Sequence, residues 1–102
     1  MSYSRHKRSY TNSFYNRRIS INKNIHYVRF DDAIVIGDFN KMKYYYLDSI
    51  SSVFYTYIIS SDSFDIAIKK LEATLKQPKE KFTNELVDWC NDMCARGIFY
   101  VK

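Results

Sequence analysis

The chain has 102 residues, of which 46% are apolar and 18% aromatic, so one folded domain with a buried core is expected and wholesale disorder is excluded. Two glycines and one proline are few for an all-β domain with regular turns, which favours a helix-rich fold. The two cysteines cannot form a disulfide framework, and no segment has the apolar length of a secretory signal or a membrane span, so a cytoplasmic protein with reduced thiols is expected.

The net charge of +5 is divided unevenly along the chain. Residues 1–24 hold six arginines and lysines and no acid, which gives +6, whereas residues 25–102 hold ten basic and eleven acidic side chains, which gives −1. The first segment is also polar, rich in Ser, Asn and Tyr, and has no helical or strand period. We predict a basic, flexible arm over residues 1–24 and a folded domain over residues 25–102.

Three short strands are predicted after the arm. The segment 25–30 reads IHYVRF and alternates as a half-buried strand does, and the segment 33–38 reads AIVIGD, which is typical of a more deeply buried strand. Polar turns, DD and DFNK, separate these strands from each other and from a third strand, MKYYYL. Strands joined by turns this short predict an antiparallel meander.

Three helices are predicted next. Asp48 or Ser49 can cap the first, and Asp62 or Ser63 the second. Pro78 suits the first turn of the third helix, and Gly97 suits its end. The apolar residues expected on one face of each helix are Ile50, Val53, Phe54 and Tyr57, then Phe64, Ile68, Leu71 and Leu75, then Phe82, Leu86, Trp89, Cys90 and Met93. The segment IFYV is predicted to close the chain as a short strand, and the whole is an α+β, winged-helix-like fold of order β-β-β-α-α-α.

No catalytic, metal or cofactor site is predicted. Both glycines are isolated, so no glycine-rich phosphate loop is present. Neither His6 nor His26 has a partner at a catalytic spacing. Cys90 and Cys94 alone are too few ligands for a zinc or iron–sulfur site and are interpreted as small buried or half-buried thiols. These observations favour a binding module and not an enzyme.

The charge of the third helix decides between two kinds of partner. Residues 79–96 contain three basic and four acidic side chains, which gives this segment a net negative charge. The third helix is therefore poorly suited to a DNA groove, which is lined with phosphates. Nucleic-acid binding would depend on the basic arm. The third strand is instead a candidate sheet edge, whose unpaired backbone groups could accept an added strand.

From about residue 25 onward the sequence resembles the PqqD-like domains, also called RiPP recognition elements. The features that match are AIVIGD, the turn FNKM, the first helix in YYYLDSISSVFYTYI, the second in SFDIAIKKLEATL and the third in FTNELVDWCNDMCARGIF. The close of the third helix departs from the usual pattern, because Met93 stands where Leu is common. The arm is not part of the resemblance.

The resemblance implies that the domain binds the leader peptide of a ribosomally synthesised precursor as an added β-strand, without catalysis or cofactor. It also implies delivery of that precursor to a separate modifying enzyme or leader peptidase, as in lasso-peptide or quinone-cofactor pathways. The residues expected to bind the leader are Met42, Lys43, Tyr44, Tyr45 and Tyr46 on the strand and Phe82, Glu85, Leu86, Trp89 and Met93 on the third helix.

Several alternatives remain open. Core packing is the alternative role for Phe82, Leu86 and Trp89, and we expect it for at least two of them. The acidic side chains of the third helix could select a leader that carries Lys or Arg. A winged-helix regulator that binds nucleic acid through residues 1–24 is the alternative function. A structural subunit whose sheet edge is covered by its own arm or by a second copy is a third.

Overall fold

The structure is a computed structural model that describes residues 14–102. Its order confirms the expected α+β fold, with a three-stranded antiparallel sheet followed by helices. The strands are β1 (Ile19–Ile21), β2 (Ile25–Phe30), β3 (Ala33–Asp38), β4 (Lys43–Leu47) and β5 (Phe99–Val101), and the helices are α1 (Ser49–Ser60), α2 (Phe64–Leu75), a short 3₁₀ turn (Lys79–Lys81) and α3 (Thr83–Ala95).

The predicted meander forms a sheet of order β2-β3-β4. β3 is its central strand, and Ile34 and Ile36 on β3 are completely buried because helices cover that face. Two turns set the register. Asp31, with a φ of 52°, lies in the two-residue turn between β2 and β3, and the Asp38 carboxylate accepts the N–H groups of Asn40 and Lys41 in the next turn.

Side-chain caps begin the first two helices, as predicted. At α1 the Asp48 carboxylate accepts the N–H of Ser51 at 2.9 Å, and at α2 the Ser63 hydroxyl accepts the N–H of Ile66 at 3.4 Å. Pro78 precedes the 3₁₀ turn and not α3 itself, which begins at Thr83. Gly97 has a φ of 80°, so it ends α3 in the left-handed conformation expected of it.

The apolar face of α1 differs from the prediction. Phe54 is buried, but Ile50 is exposed, and the other large buried side chains of this helix are Tyr55 and Ile58. α1 packs on the sheet, on α2 and on β1, so more than one side of it is covered and a single stripe does not describe it. The predicted stripe of α2 is correct, with Phe64, Ile68 and Leu71 buried and Leu75 half-buried.

The predicted flexible arm is wrong over residues 14–24. Ile19–Ile21 forms β1, which pairs antiparallel with β5, and Phe14 is only 3% exposed because it packs on Phe64 at a ring distance of 5.2 Å. The Arg17 guanidinium donates to the carbonyl of Lys102 at 2.6 Å. The segment packs on the core through widely spaced apolar residues such as Phe14 and Ile19, and this spacing has neither a helical nor a strand period. Residues 1–13 lie outside the described residues.

We expect Phe14→Ala to lower the free energy of unfolding by about 3 kcal/mol, because it empties a buried aromatic site. Chemical denaturation of the full chain measures this change. The control is Tyr15→Ala, which removes the neighbouring exposed ring and should change the free energy of unfolding by less than about 0.5 kcal/mol. Equal effects of the two variants would contradict the packing of residues 14–24.

Candidate functional site

The turn between β2 and β3 determines which backbone groups of the sheet point outward. Only two residues join the strands, so the closing pair Phe30 and Ala33 exchanges both of its backbone hydrogen bonds. The pairing alternates from that point. Along β3, residues 33, 35 and 37 therefore bond to β2, and residues 34, 36 and 38 bond to β4.

The outer edge of β4 is consequently formed by two tyrosines. Tyr45 lies opposite Ile36 and Leu47 opposite Ile34, so the backbone groups of Tyr45 and Leu47 bond to β3. The N–H and C=O groups of Tyr44 and Tyr46 point away from β3. Within residues 14–102 no strand pairs with this side of β4, so these four groups form an open sheet edge.

The side chains of β4 alternate between the two faces of the sheet, as the period of a strand requires. Leu47 is buried and Tyr45 is half-buried against the core. Tyr44 and Tyr46 are 66% and 73% exposed. Tyr45 therefore turns inward with Leu47 while Tyr44 and Tyr46 turn outward, so the three tyrosines do not form a continuous stacking platform.

A groove of about 380 Å³ lies between this edge and α3. We call it the β4–α3 groove. Its lining consists of Tyr44, Tyr45, Tyr46, Leu47, Ser51, Trp89, Asp92, Met93 and Arg96. Trp89 is held by edge-to-face contacts with Phe54 and Phe99 at 5.7 and 5.5 Å, so the indole is a fixed apolar wall.

An ion pair closes one end of the groove. Arg96 Nε lies 2.8 Å from Asp92 Oδ2, and the guanidinium carbon lies 5.3 Å from the centre of the Tyr45 ring. The hydrogen bond that Arg96 Nε–H donates to the Asp92 carboxylate raises the pKa of Arg96 above its usual value. Lys41 Nζ donates to the Arg96 carbonyl at 2.9 Å, so this end of the groove is cationic. Arg96 compensates the charge of Asp92. Of the acidic side chains on α3, only Glu85 and Asp88 then remain to attract a cation, and neither lines the groove.

Of the ten residues predicted to bind the leader, the groove brings five together: Tyr44, Tyr45, Tyr46, Trp89 and Met93. Phe82 and Leu86 are buried in the core. This agrees with the expectation that at least two of Phe82, Leu86 and Trp89 serve in core packing. Glu85 is exposed one helical turn before Trp89 and does not line the groove.

The two remaining residues lie at the start of β4. Lys43 is its exposed first residue. Met42 was expected on the strand but belongs to the turn, because its φ of 54° is left-handed and incompatible with an extended strand. The open edge is therefore shorter than predicted.

Leu47, Ser51 and Arg96 line the groove but were not among the predicted residues, and Asp92 was expected only as one of the acids of α3 that could select a basic leader. A signal for Asp92 and Arg96 was present in the sequence. Residues 89, 92, 93 and 96 recur at helical spacing, so any helix that faces the strand with Trp89 also presents Asp92 and Arg96. Ser51 lies on α1, and only the tertiary fold places it beside the groove.

A second, larger depression of about 490 Å³ lies between α2 and the start of α3. Its walls include Tyr15, Phe64 and Ile68 together with acidic and basic side chains. It holds none of the predicted residues, and no strand lines it. The β4–α3 groove is the smaller of the two but the one that adjoins unpaired backbone groups, which is why we take it as the candidate site.

Metal ligands, thiols and membrane-spanning helices would be further functional features of residues 14–102. No group of three or more His, Cys, Asp or Glu side chains there could hold a metal ion. Cys90 is buried and Cys94 is half-buried, and burial raises the pKa of both thiols. None of the described helices has the length and apolar character needed to cross a membrane.

The basic segment 1–24 is only partly described. Arg17 bonds to the chain end, and Arg18 Nη1 lies 3.6 Å from Asp62 Oδ1, so two of its six cations contact the domain itself. Arg5, Lys7 and Arg8 lie outside the described residues. Nucleic-acid binding through this segment stays a prediction, which no contact in the described part of the chain favours.

Comparison with known proteins supports the fold. No protein-family profile and no curated protein sequence matches the chain. Among solved structures it is similar to "TbiB1 in Complex with the TbiA(beta) Leader Peptide", with a TM-score of 0.73 and 14% identity over 78% of this chain and 93% of the matched chain. At this identity the likeness establishes the fold, which is the one expected from the resemblance to RiPP recognition elements.

We expect Tyr45→Pro to destabilise the domain much more than Tyr44→Pro. The Tyr45 N–H bonds to β3, and its loss leaves the Ile36 carbonyl unsatisfied at a cost of about 1 to 3 kcal/mol, before the loss of the ring is counted. The Tyr44 N–H points outward, and proline is tolerated at such edge positions. Urea denaturation of both variants tests the assignment. Greater destabilisation by Tyr44→Pro would reverse which residues form the edge.

Proposed function

We propose that this domain binds the leader segment of a ribosomally synthesised precursor peptide as an added β-strand along β4. The observation that carries the proposal is the open edge at Tyr44 and Tyr46, directly beside the β4–α3 groove. An added strand would receive backbone hydrogen bonds from the edge, and its side chains on one face would enter the groove. The fold shared with TbiB1, whose solved structure contains a leader peptide, supports the same interpretation.

The free energy of peptide binding requires both the open edge of β4 and the β4–α3 groove. Two outward N–H and two outward C=O groups allow four backbone hydrogen bonds, each contributing about 0.5 to 1.5 kcal/mol, or roughly 2 to 6 kcal/mol together. Micromolar affinity needs about 8 kcal/mol. Apolar side chains buried between Trp89, Met93 and Tyr45 must therefore supply the rest. The edge contributes affinity for any extended peptide, and the groove selects among peptides.

The bound peptide would then be delivered to a separate modifying enzyme or leader peptidase, as in lasso-peptide pathways. The proposed role involves no catalysis, because a strand and a groove position a peptide without acting on it. A cytoplasmic location remains a prediction.

The groove adds a requirement on charge. Arg96 and Lys41 make the end near the start of β4 cationic, whereas Glu85 and Asp88 lie nearer the start of α3. We therefore propose that a well-matched leader places an acidic side chain near Arg96. A basic side chain is accepted only beyond the groove, where Glu85 and Asp88 are exposed on α3. This refines the expectation that the acids of α3 select Lys or Arg, because Asp92 is already paired.

We expect Tyr44→Pro and Tyr46→Pro each to weaken leader binding about tenfold, because each removes one outward N–H and constrains the strand edge. Fluorescence titration with a labelled leader, taken from the precursor gene that neighbours this chain's gene, measures the affinity. Tyr44→Thr retains the N–H and separates the loss of the ring from the loss of the hydrogen bond.

The matched control is Arg29→Pro. By the same alternation the Arg29 N–H points outward from β2, the opposite edge of the sheet, and the side chain is exposed, so a proline there should leave the affinity unchanged. Saturable binding that only Arg29→Pro weakens would place the peptide on β2. An absence of saturable binding to the unchanged protein would remove the proposal altogether.

We expect Arg96→Gln to change which peptides bind and not whether they bind. Loss of the guanidinium leaves the Asp92 carboxylate unpaired, so a leader with an added Lys should gain roughly twofold to fivefold over one with an added Glu, the range of exposed ion pairs. Arg29→Gln is the control, since it makes the same charge change on β2. An equal shift in both variants would mean that net charge alone is responsible.

A further inference from the structure

The sheet has a second exposed surface, on the side away from the helices. Strand alternation and register place His26, Val28 and Phe30 of β2, Val35 of β3, and Tyr44 and Tyr46 of β4 on this side. Phe39, in the turn before β4, extends it. We call these seven residues the outer sheet face. None carries a formal charge when His26 is neutral.

The side chains of the outer sheet face form one continuous apolar surface. The Phe39 ring stacks on His26 at 4.7 Å, and both Phe39 and Tyr44 lie against Gly37, where an added Cβ would come within 3.3 Å of the Tyr44 ring. Five of the eleven exposed large apolar side chains in residues 14–102 belong to this face, among them Phe30 at 60% exposure. Single exposed apolar side chains are ordinary, but such clustering marks an interaction surface.

The exposed charges at the two ends of the strands are separated by sign, because Asp38, the one acid at the basic end of the sheet, is buried and accepts the N–H groups of Asn40 and Lys41. Asp31 and Asp32 lie in the turn at one end of the strands, and Asp48 follows β4 at the same end. Lys23, Lys41 and Lys43 lie at the opposite end, before β2 and before or at the start of β4. The sheet therefore has an acidic end and a basic end, with an uncharged surface between them.

We propose that a second copy of this chain covers the outer sheet face. Two sheets can pack face to face about a two-fold axis that runs across the strands or along them. An axis across the strands reverses their direction and sets the acidic end of one copy against the basic end of the other. An axis along the strands opposes like charges. The charge pattern selects the first arrangement, with the strands of the two copies running in opposite directions.

The size of the outer sheet face sets the expected affinity of the dimer. Three strands about 4.8 Å apart, each rising about 3.4 Å per residue over six residues, give a footprint of about 14 by 20 Å. A footprint of about 280 Å² on each copy is below the size of stable specific interfaces, so the dimer is weak and transient and dissociates in the upper micromolar range or above. The outward backbone groups of Tyr44 and Tyr46 lie in the plane of the sheet, so the open edge stays accessible in the dimer.

Sedimentation velocity of the full chain, from about one to several hundred micromolar, tests the proposal. A monomer at low concentration that becomes a dimer at high concentration is expected. Val28→Lys puts a charge at the centre of the face and should weaken the dimer at least tenfold. Tyr15→Lys makes a comparable change at an exposed ring away from the face and should leave it intact. A purely monomeric protein, or a dimer that Val28→Lys leaves unchanged, would overturn the proposal.

A charge exchange tests the orientation. Asp32→Lys and Lys23→Glu should each weaken the dimer, and the double variant should restore it, because the opposed ends then carry opposite charges again. Circular dichroism confirms that each variant is folded. A double variant weaker than either single one would exclude the arrangement with reversed strands. Leader affinity measured in Val28→Lys should match that of the unchanged protein, so failure of the dimer and failure of peptide binding are distinguishable.

Discussion

A chain of aromatic contacts fixes the position of α3 relative to the sheet, and the candidate site depends on it. Tyr27 of β2 meets Tyr55 of α1 at 5.2 Å, Tyr55 stacks on Phe99 of β5 at 5.9 Å, and Phe99 meets Trp89 of α3 at 5.5 Å. Phe54 of α1 also contacts the Trp89 ring, edge to face at 5.7 Å. Contacts of this kind add about 0.5 to 1.5 kcal/mol each to the burial of the rings. Because they join four elements, the width of the β4–α3 groove is determined by the core and not by the groove itself.

The pairing of β1 with β5 completes this arrangement from the two ends of the domain. Phe99 can hold Trp89 only if β5 is itself held, and its neighbour in the sheet is β1. Phe14 anchors the segment before β1 on α2, and Arg17 and Arg18 bond to the last residue through a side chain and a backbone carbonyl. Residues 14–24 therefore support the groove from a distance, although none of them lines it.

The alternation of one strand gives the residues of β4 separate roles. Tyr45 and Leu47 bond to β3 and pack toward the core, so they hold the strand in place. Tyr44 and Tyr46 direct their backbone groups to the open edge and their rings to the outer sheet face. A peptide at the edge and a second copy on the face would meet the same two residues through different atoms. The two proposed partners would therefore use different atoms of the same strand, and neither would disturb its pairing with β3.

The sequence by itself determined the order of the elements from β2 to β5, because strand alternation, turn residues and helix caps are local signals. It also determined that Tyr45 and Tyr44 face opposite ways and that acidic side chains outnumber basic ones between residues 79 and 96. The tertiary structure decided what no local pattern contains. It brought residues 14–24 into the fold through isolated apolar residues, buried Phe82 and Leu86, and placed Met42 in a turn. It also paired Asp92 with Arg96 and set Ser51 beside the groove. Hydrophobic periodicity shows which side of an element is buried, but the neighbour that buries it depends on contacts between residues far apart in the chain.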